Sequence, residues 1–328
     1  MEKEVLSRLT GEKLRAWQEL MHAAGLAADE CSEQTVLLWD GDTLAAAGSR
    51  QENLLRCLAV SPLYQGEGLT ATLMTALRQE AFAAGHEHLF LYTKPRNGHL
   101  FSPLFFYPVA QTGDVLLMEN RQGGVKDFLR SLPVRDVQGA VGALVMHCDP
   151  FTLGHRYVIE TAARECDHVY VFVLSEDKGF YAAADRLQMV QAGVADIENV
   201  TVLPTGPYLI SSATFPTYFL KDRDAAEDIH CQLDVRIFLA YFAPHFGITR
   251  RYVGTEPLSP LTARYNALLK EHLPREGVEV REIPRLEVNG QIVSASAVRK
   301  YMASGDFESA AAHVPQTTLE YIRKQEKP

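Results

Sequence analysis

The apolar positions of this 328-residue chain change rhythm part-way along it. Up to about residue 120 they outline a mixed α/β pattern. Residues 13–24 carry apolar side chains at helical spacing. Residues 36–39 and 43–47 flank Asp40-Gly41-Asp42, a hairpin signal. Residues 53–60 read as a strand. Glu67-Gly68 opens a strongly helical run over 69–84, and 88–92 and 115–118 read as further strands. Residues 120–139 are rich in charge, glycine and turn formers, which puts a change of domain there. The expected division is a domain over 1–125, a linker at 126–138 and a second domain over 139–328.

In the second domain short apolar runs alternate with amphipathic ones. Strands are expected at 142–146, 168–174, 200–203, 250–253 and 278–283, and helices at 155–164, 182–192, 234–242 and 260–270. Residues 168–174 are nearly all apolar and aromatic, as a strand covered on both faces requires. The alternation predicts a mostly parallel, Rossmann-like sheet with helices on both sides. Residues 294–324 read as helical, broken around Gly305 and Pro315.

Composition adds limits. Hydrophobic residues make up 47% and charged ones 22%, the usual mix of a soluble globular protein. A net charge of -9 with no basic run argues against a nucleic-acid partner. No 18-residue apolar stretch occurs, so no membrane span is expected, and the first residues lack a signal-type apolar core. Cys31, Cys57, Cys148, Cys166 and Cys231 are scattered and odd in number. They read as free thiols of a cytoplasmic protein.

The candidate chemistry starts where the strand ending at Met146 runs into His147-Cys148-Asp149-Pro150-Phe151-Thr152-Leu153-Gly154-His155. Ligands of parallel sheets collect at strand carboxyl ends, and a helix N-terminus there offers N–H groups to a phosphate. Thr152 brings a hydroxyl and Gly154 a close backbone approach. His155 brings a donor to a phosphoryl oxygen as charge builds. Taken alone, Gly154-His155 is equally a turn with a cap. Farther on, Ser294 is placed to cap a helix. Ser294, Ser296 and the exposed amides make an anion-binding nest that Arg299 can reach. Lys178 follows the buried strand as a point charge for phosphates. Ser211, Ser212 and Thr214 lie in a hydroxyl-rich turn suited to an acceptor. Gly254 and Glu256 follow another strand, again at its carboxyl end, with Glu256 a candidate for magnesium through water. His147 is a donor to a phosphate or acceptor, or a buried strand-end histidine.

Residues 149–155 resemble the Asp-Pro-Phe/Ile-Thr-x-Gly-His signature of the nucleotidyltransferase superfamily. Residues 293–299 resemble its Ile-Ser-x-Ser-x-x-Arg box, about 140 residues downstream. The resemblance implies that His155 contacts ATP phosphates. The candidate ATP site is Phe151, Thr152, Gly154, His155, Lys178, Gly254, Glu256, Ser294, Ser296 and Arg299, with His155, Lys178 and Arg299 catalytic. Residues 151–160, 175–178, 212–219 and 253–257 together resemble the citrate (pro-3S)-lyase ligase family, over nearly the whole chain. That resemblance implies ATP with Mg2+, acetate, and the acyl carrier subunit of citrate lyase carrying phosphoribosyl-dephospho-coenzyme A. The carrier thiol is acetylated through acetyl-AMP, and AMP and pyrophosphate leave. His147, Ser211, Ser212 and Thr214 are the candidates for the thiol or acceptor site. Where that family has Asn-x-Asn-Pro, this chain has His147-Cys148-Asp149-Pro150, and Asp149 matches the wider superfamily. Two other readings stay open: transfer of AMP itself to a phosphopantetheine-like or other phosphate acceptor, and a coenzyme A-dependent acetyltransferase whose C-terminal domain senses nucleotide.

Residues 61–69 follow a strand and open a helix. They resemble the acetyl-coenzyme A-binding turn of the GNAT acetyltransferase family, with Gly66 and Gly68 in its small positions and Leu63 where Gln or Arg is usual. Gln65, Gly66 and Gly68 are therefore candidates for holding a coenzyme-type arm. Tyr64, Glu67, His86 and His88 are the available bases, none with an evident partner.

Overall fold

The computed structural model describes residues 1–28, 32–177, 179–209, 224–256, 260–288 and 290–325. Cys31, Lys178, Ser211, Ser212 and Thr214 lie outside the described residues. The chain divides into two compact units, Met1–Val125 with Pro216–Leu233, and Lys126–Phe215 with Asp234–Pro328.

The first unit is built on β1 (Glu2–Leu6), β2 (Gln34–Asp40), β3 (Thr43–Gln51), β4 (Leu54–Val60), β5 (Phe90–Thr93), β6 (Tyr107–Gln111) and β7 (Leu116–Glu119). They form one sheet in the order β1-β2-β3-β4-β5-β7-β6. Asp40 pairs with Thr43, so the predicted hairpin closes on Gly41-Asp42, with Gly41 at φ 56°. Helix α1 (Gly11–Ala23) buries Trp17, Leu20 and Met21. Helix α2 (Leu69–Ala83) packs so close to β3 that a Cβ on Gly48 would lie 2.8 Å from both Leu58 and Leu77. Two strands are absent from the sequence reading. β1 is an edge strand whose charged residues mask its alternation. β6 carries Pro108 at a register shift, which the strand tolerates because it too is an edge.

Among the described residues β4 and β5 are the one parallel pair of this sheet, and they pair only at Leu54↔Phe90 and Leu55↔Leu91. Beyond those residues the two strands continue without pairing. A cavity of about 560 Å³ lies there, lined by β4, the turn at 62–68, the first turns of α2, and residues 92–101.

The second unit carries β8 (Val141–Met146), β9 (His168–Val173), β10 (Val200–Pro204), β11 (Arg250–Gly254) and β12 (Glu279–Ile283). All pair in parallel, in the order β10-β9-β8-β11-β12. Every residue of β9 is buried, as its composition foretold. Helices α5 (Leu153–Glu165) and α6 (Ala183–Gly193) pack on the sheet, with Val158, Ile159, Ala162, Met189 and Val190 in its core. The predicted helix break at Gly305 is real. Helices α10 (Ala295–Ala303) and α11 (Phe307–Ala311) are separated by Gly305 at φ 74°, and α12 (Gln316–Gln325) follows.

Three features here depart from the sequence reading. Helix α4 (Gly124–Arg130) occupies part of the expected linker. Its Phe128 ring lies against Gly206 and 5.6 Å from the Tyr208 ring, so packing stabilises a segment whose glycines and charges read as a turn. Helix α7 (Asp224–Ile237) starts ten residues before the expected 234 and runs into a π-helical turn at Phe238–Phe242 and α8 (Ala243–Phe246). A two-residue hairpin, β13 (Glu287–Val288) with β14 (Gln291–Ile292), precedes α10. It is too short for periodicity to show. Helix α3 (Gly98–Phe101) and helix α9 (Pro260–His272) complete the two units. No helix of the described residues is long and apolar enough to cross a membrane.

Candidate active site

The strand order of the second unit reverses at β8, which has β9 on one side and β11 on the other. β8 pairs with β9 along its whole length, as far as Met146↔Val173. With β11 it pairs only at Arg250↔Gly142 and Arg251↔Ala143, although β11 runs on beside β12 to Gly254↔Ile283. The sheet is therefore parted between the carboxyl ends of β8 and β11. Such a switch point is where open α/β sheets bind ligands.

Residues 147–155 fill the β8 side of this crevice. Cys148 is buried at φ 54° and Asp149-Pro150 is cis. Burial pushes the Cys148 thiol up, so it stays protonated. Asp149 is buried, and its carboxylate accepts from the N–H groups of Phe180 at 2.8 Å and Tyr181 at 2.9 Å. It thus ties the loop after β9 to the loop after β8. The ring of Phe151 is fully buried against Gly193 and stacks 6.0 Å from the His155 ring. The Phe151 side chain is thus spent on packing the turn against α6.

Thr152 caps α5 in a capping box with His155. Thr152 Oγ1 accepts from His155 N–H at 3.3 Å, and His155 Nδ1 accepts from Thr152 N–H at 3.0 Å. The Thr152 hydroxyl is 3.0 Å from the same Nδ1. It is engaged in the cap, where the sequence reading had it facing a phosphate. Because Nδ1 accepts, the neutral imidazole carries its proton on Nε2. Desolvation, then the charges of Arg285 and His147, push the His155 pKa down to about 4. His155 is therefore a neutral Nε2–H donor at pH 7. The Leu153 N–H bonds His313 O at 2.9 Å. That leaves the Gly154 N–H without a protein partner among the described residues.

The segment at 293–299 folds onto this turn from the other end of the unit. A Cβ on Gly154 would lie 3.2 Å from the carbonyl oxygen of Val293, so glycine here permits the two motifs to touch. Ser294 is the N-cap of α10, accepting from Ala297 N–H at 3.2 Å. Arg299 donates to the Asp149 carbonyl and to Ser296 Oγ at 3.2 Å, and lies 3.6 Å from the Asp149 carboxylate. Gly154, His155, Ser294, Ser296 and Arg299 thus share one place.

Gly254 ends β11, and its carbonyl accepts from Asn266 at 2.9 Å. The Glu256 carboxylate is paired with Arg285, which also donates to Thr255 O at 2.8 Å. The carboxylate named as a candidate for magnesium through water is thus ion-paired to a residue just past β12. No group of three or more His, Cys, Asp or Glu that could hold a metal occurs among the described residues.

Two residues that the sequence reading missed organise the site. Arg285 lies close enough to lower the basicity of His155. Arg186 is fully buried on α6 and donates to three loop carbonyls: Tyr181 O at 3.2 Å, His147 O at 2.8 Å, and Glu176 O. One signal existed. Arg186, Met189, Val190 and Gly193 sit at i, i+3, i+4 and i+7, on the helix face that is buried.

In the first unit, Gln65, Gly66 and Gly68 all line the 560 Å³ cavity. Gly66 and Gly68 have φ 91° and 75°, values that favour glycine. Of the four candidate bases only Tyr64 lines it. Its hydroxyl donates to Asp40 at 3.0 Å, and that bond is the main cause holding its pKa above the usual value. His88 precedes β5, at the opposite end from the cavity, and its Nε2 is 2.7 Å from Glu119 Oε2.

The family profile described as citrate lyase ligase C-terminal domain matches residues 141–322, and that of the acetyltransferase (GNAT) family matches residues 3–100. The chain is 41% identical to the citrate (pro-3S)-lyase ligase of Klebsiella pneumoniae over 307 residues, 92% of this chain and 89% of that one. It is 36% identical to the protein of the same name from Haemophilus influenzae, covering 95% of this chain and 96% of that one. Phosphopantetheine adenylyltransferase of Streptococcus agalactiae is 26% identical over 151 residues, 42% of this chain and 91% of the shorter protein.

Proposed function

The chain belongs to the citrate (pro-3S)-lyase ligase family, and from that premise we propose that it uses ATP and acetate to acetylate the thiol of the prosthetic group on the acyl carrier subunit of citrate lyase. The observation that carries this is the meeting of residues 149–155 and 293–299 at the switch point of a parallel sheet. Together they present an N–H group, a neutral imidazole donor and a guanidinium to one place.

The reaction runs in two halves. An acetate oxygen attacks the α-phosphorus of ATP. The new O–P bond forms as the bond to pyrophosphate breaks, giving acetyl-AMP. The task of the protein is positioning and charge stabilisation. Gly154 N–H and His155 Nε2–H donate to phosphate oxygens, Arg299 neutralises charge, and Ser294 and Ser296 hold the α10 end of the site. Lys178 serves as a further point charge, and Mg2+ enters with ATP. In the second half the carrier thiol attacks the acetyl carbonyl and AMP leaves. Ser211, Ser212 and Thr214 are assigned to the acceptor side.

Transfer of AMP to a phosphate acceptor fits less of the molecule, since the adenylyltransferase likeness covers 42% of the chain. Acetate-dependent exchange of labelled pyrophosphate into ATP separates the two. Exchange that needs acetate, followed by acetyl-carrier and AMP in equal amounts once thiol-form carrier is added, is expected. Carrier that becomes adenylylated without any need for acetate would sink the ligase chemistry.

The cavity of the first unit is assigned to the carrier's coenzyme A-type arm. Its apolar lining residues Leu58, Val60, Leu73 and Met74 suit a pantetheine, and the turn at Gly66 and Gly68 suits its phosphates. Thr70→Trp, at the cavity lining, is expected to weaken carrier binding about tenfold or more while pyrophosphate exchange stays within twofold. Unchanged carrier affinity in a folded Thr70→Trp protein would remove this assignment.

A further inference from the structure

We propose that His147, oriented by Glu176, is the general base that takes the proton of the carrier thiol in the second half-reaction. This rests on the acyl-adenylate reading given above. A thiol with a pKa near 8.5 is mostly protonated at pH 7, and only the thiolate attacks well. Some group beside the adenylate must take that proton, and the site as described holds two histidines. His155 is excluded, because its Nδ1 is committed to Thr152 N–H, and its Nε2 therefore carries the proton, which the reading above gives to a phosphate oxygen.

His147 has the opposite arrangement. It is the first residue after β8, and its carbonyl is fixed by Arg186 Nη1 at 2.8 Å. Its Nε2 is buried, has no hydrogen-bond partner among the described residues and lies 3.9 Å from Glu176 Oε1. That is too long for a hydrogen bond, but a carboxylate at that distance favours the tautomer with its proton on Nε2. It also stabilises the imidazolium once it forms. The side chain as a whole is 38% exposed. Nδ1 has no partner among the described residues and is not among the buried atoms, so it is open to an incoming group. A nitrogen facing a carboxylate and a second nitrogen left open is the arrangement that activates nucleophiles elsewhere in enzymology.

The charges around the ring place it in the crevice. It faces Arg186 from α6, Arg299 from α10, Asp149 on its own loop and Glu176 from the loop after β9, and it acts on His155 from α5. Desolvation, with Arg186 and Arg299, outweighs the two carboxylates and keeps His147 below its usual pKa, so it is neutral and ready as a base at pH 7. In the step itself the S–H bond breaks and the proton goes to Nδ1. The sulfur forms a bond to the acetyl carbon, and the bond from that carbon to the phosphate oxygen breaks, releasing AMP. The imidazolium then returns its proton to solvent.

The test compares the two half-reactions in His147→Gln. One assay is acetate-dependent pyrophosphate exchange, and the other is acetyl transfer from supplied acetyl-AMP to thiol-form carrier. At pH 7 transfer is expected to fall about 100-fold more than exchange, within the usual range for a lost general base. The gap should narrow as pH rises to about 9, where the thiol ionises unaided. Glu176→Gln is expected to show the same pattern at about a tenth of the size. Equal losses in both assays, a gap that does not change with pH, or transfer within threefold of the unsubstituted protein would each overturn the assignment. If the unsubstituted protein shows no acetate-dependent exchange and does not use acetyl-AMP, the ligase chemistry itself fails. If it does both, only the base is in question.

Discussion

His155→Ala is expected to lower acetate-dependent pyrophosphate exchange by about 100- to 1,000-fold, with the KM for ATP changed far less. The size is that of removing one donor aimed at charge that develops in a transition state, and the split follows because such a donor acts mainly there. The fold should survive. The side chain also accepts from Thr152 N–H in the capping box, and losing that bond costs about 1 kcal/mol. pH gives a second readout. In the unfolded chain the imidazole titrates near its ordinary 6.5, whereas in the folded protein it is pushed down to about 4. Above pH 6.5 it is neutral in both states and contributes nothing. As the pH falls from 6.5 towards 4 the unfolded chain takes up the proton first, so stability is lost across that window. Thermal unfolding of His155→Ala should therefore lose less stability between pH 6.5 and 4.5 than the unsubstituted protein. A variant with full exchange activity would remove His155 from the chemistry.

Arg186→Ala is expected to cost about 3–5 kcal/mol of unfolding free energy, read as a lower urea midpoint with an unchanged slope. The guanidinium is fully buried and holds the carbonyls of His147, Glu176 and Tyr181 together. Removing it strands all three acceptors and opens a cavity. Lysine does not rescue the loss, because a single ammonium does not reproduce the planar fork that reaches three separate oxygens. Exchange should fall with stability, since the same carbonyls belong to the loops that carry His147 and Asp149. A cost under 1 kcal/mol would mean that these loops are held by other contacts.

Much of the site was legible because it is local. The turn into α5 is set by residues within three positions of one another: Thr152 caps, Gly154 admits a close neighbour, and His155 closes the box. Ser294 heads α10 for the same kind of reason. Such pairs leave a mark in the sequence because the chain itself holds them together. The packing of Glu256 and Phe151 was not legible, and for one reason. Their side chains are claimed by partners far along the chain, Arg285 and Gly193, which no local pattern announces.

By itself, then, the sequence determined the alternation of strands and helices, the buried character of β9, the hairpin at Gly41 and the membership of a family, all of which rest on period and on short motifs. The tertiary structure alone decided what lies beside what. It parted β8 from β11 after two pairs, splayed β4 from β5, buried Arg186 among three carbonyls and brought Arg299 to the Asp149 carbonyl 150 residues away. Side-chain periodicity records which face of an element is buried. It carries no record of which distant group fills the space, because that depends on packing all the elements at once.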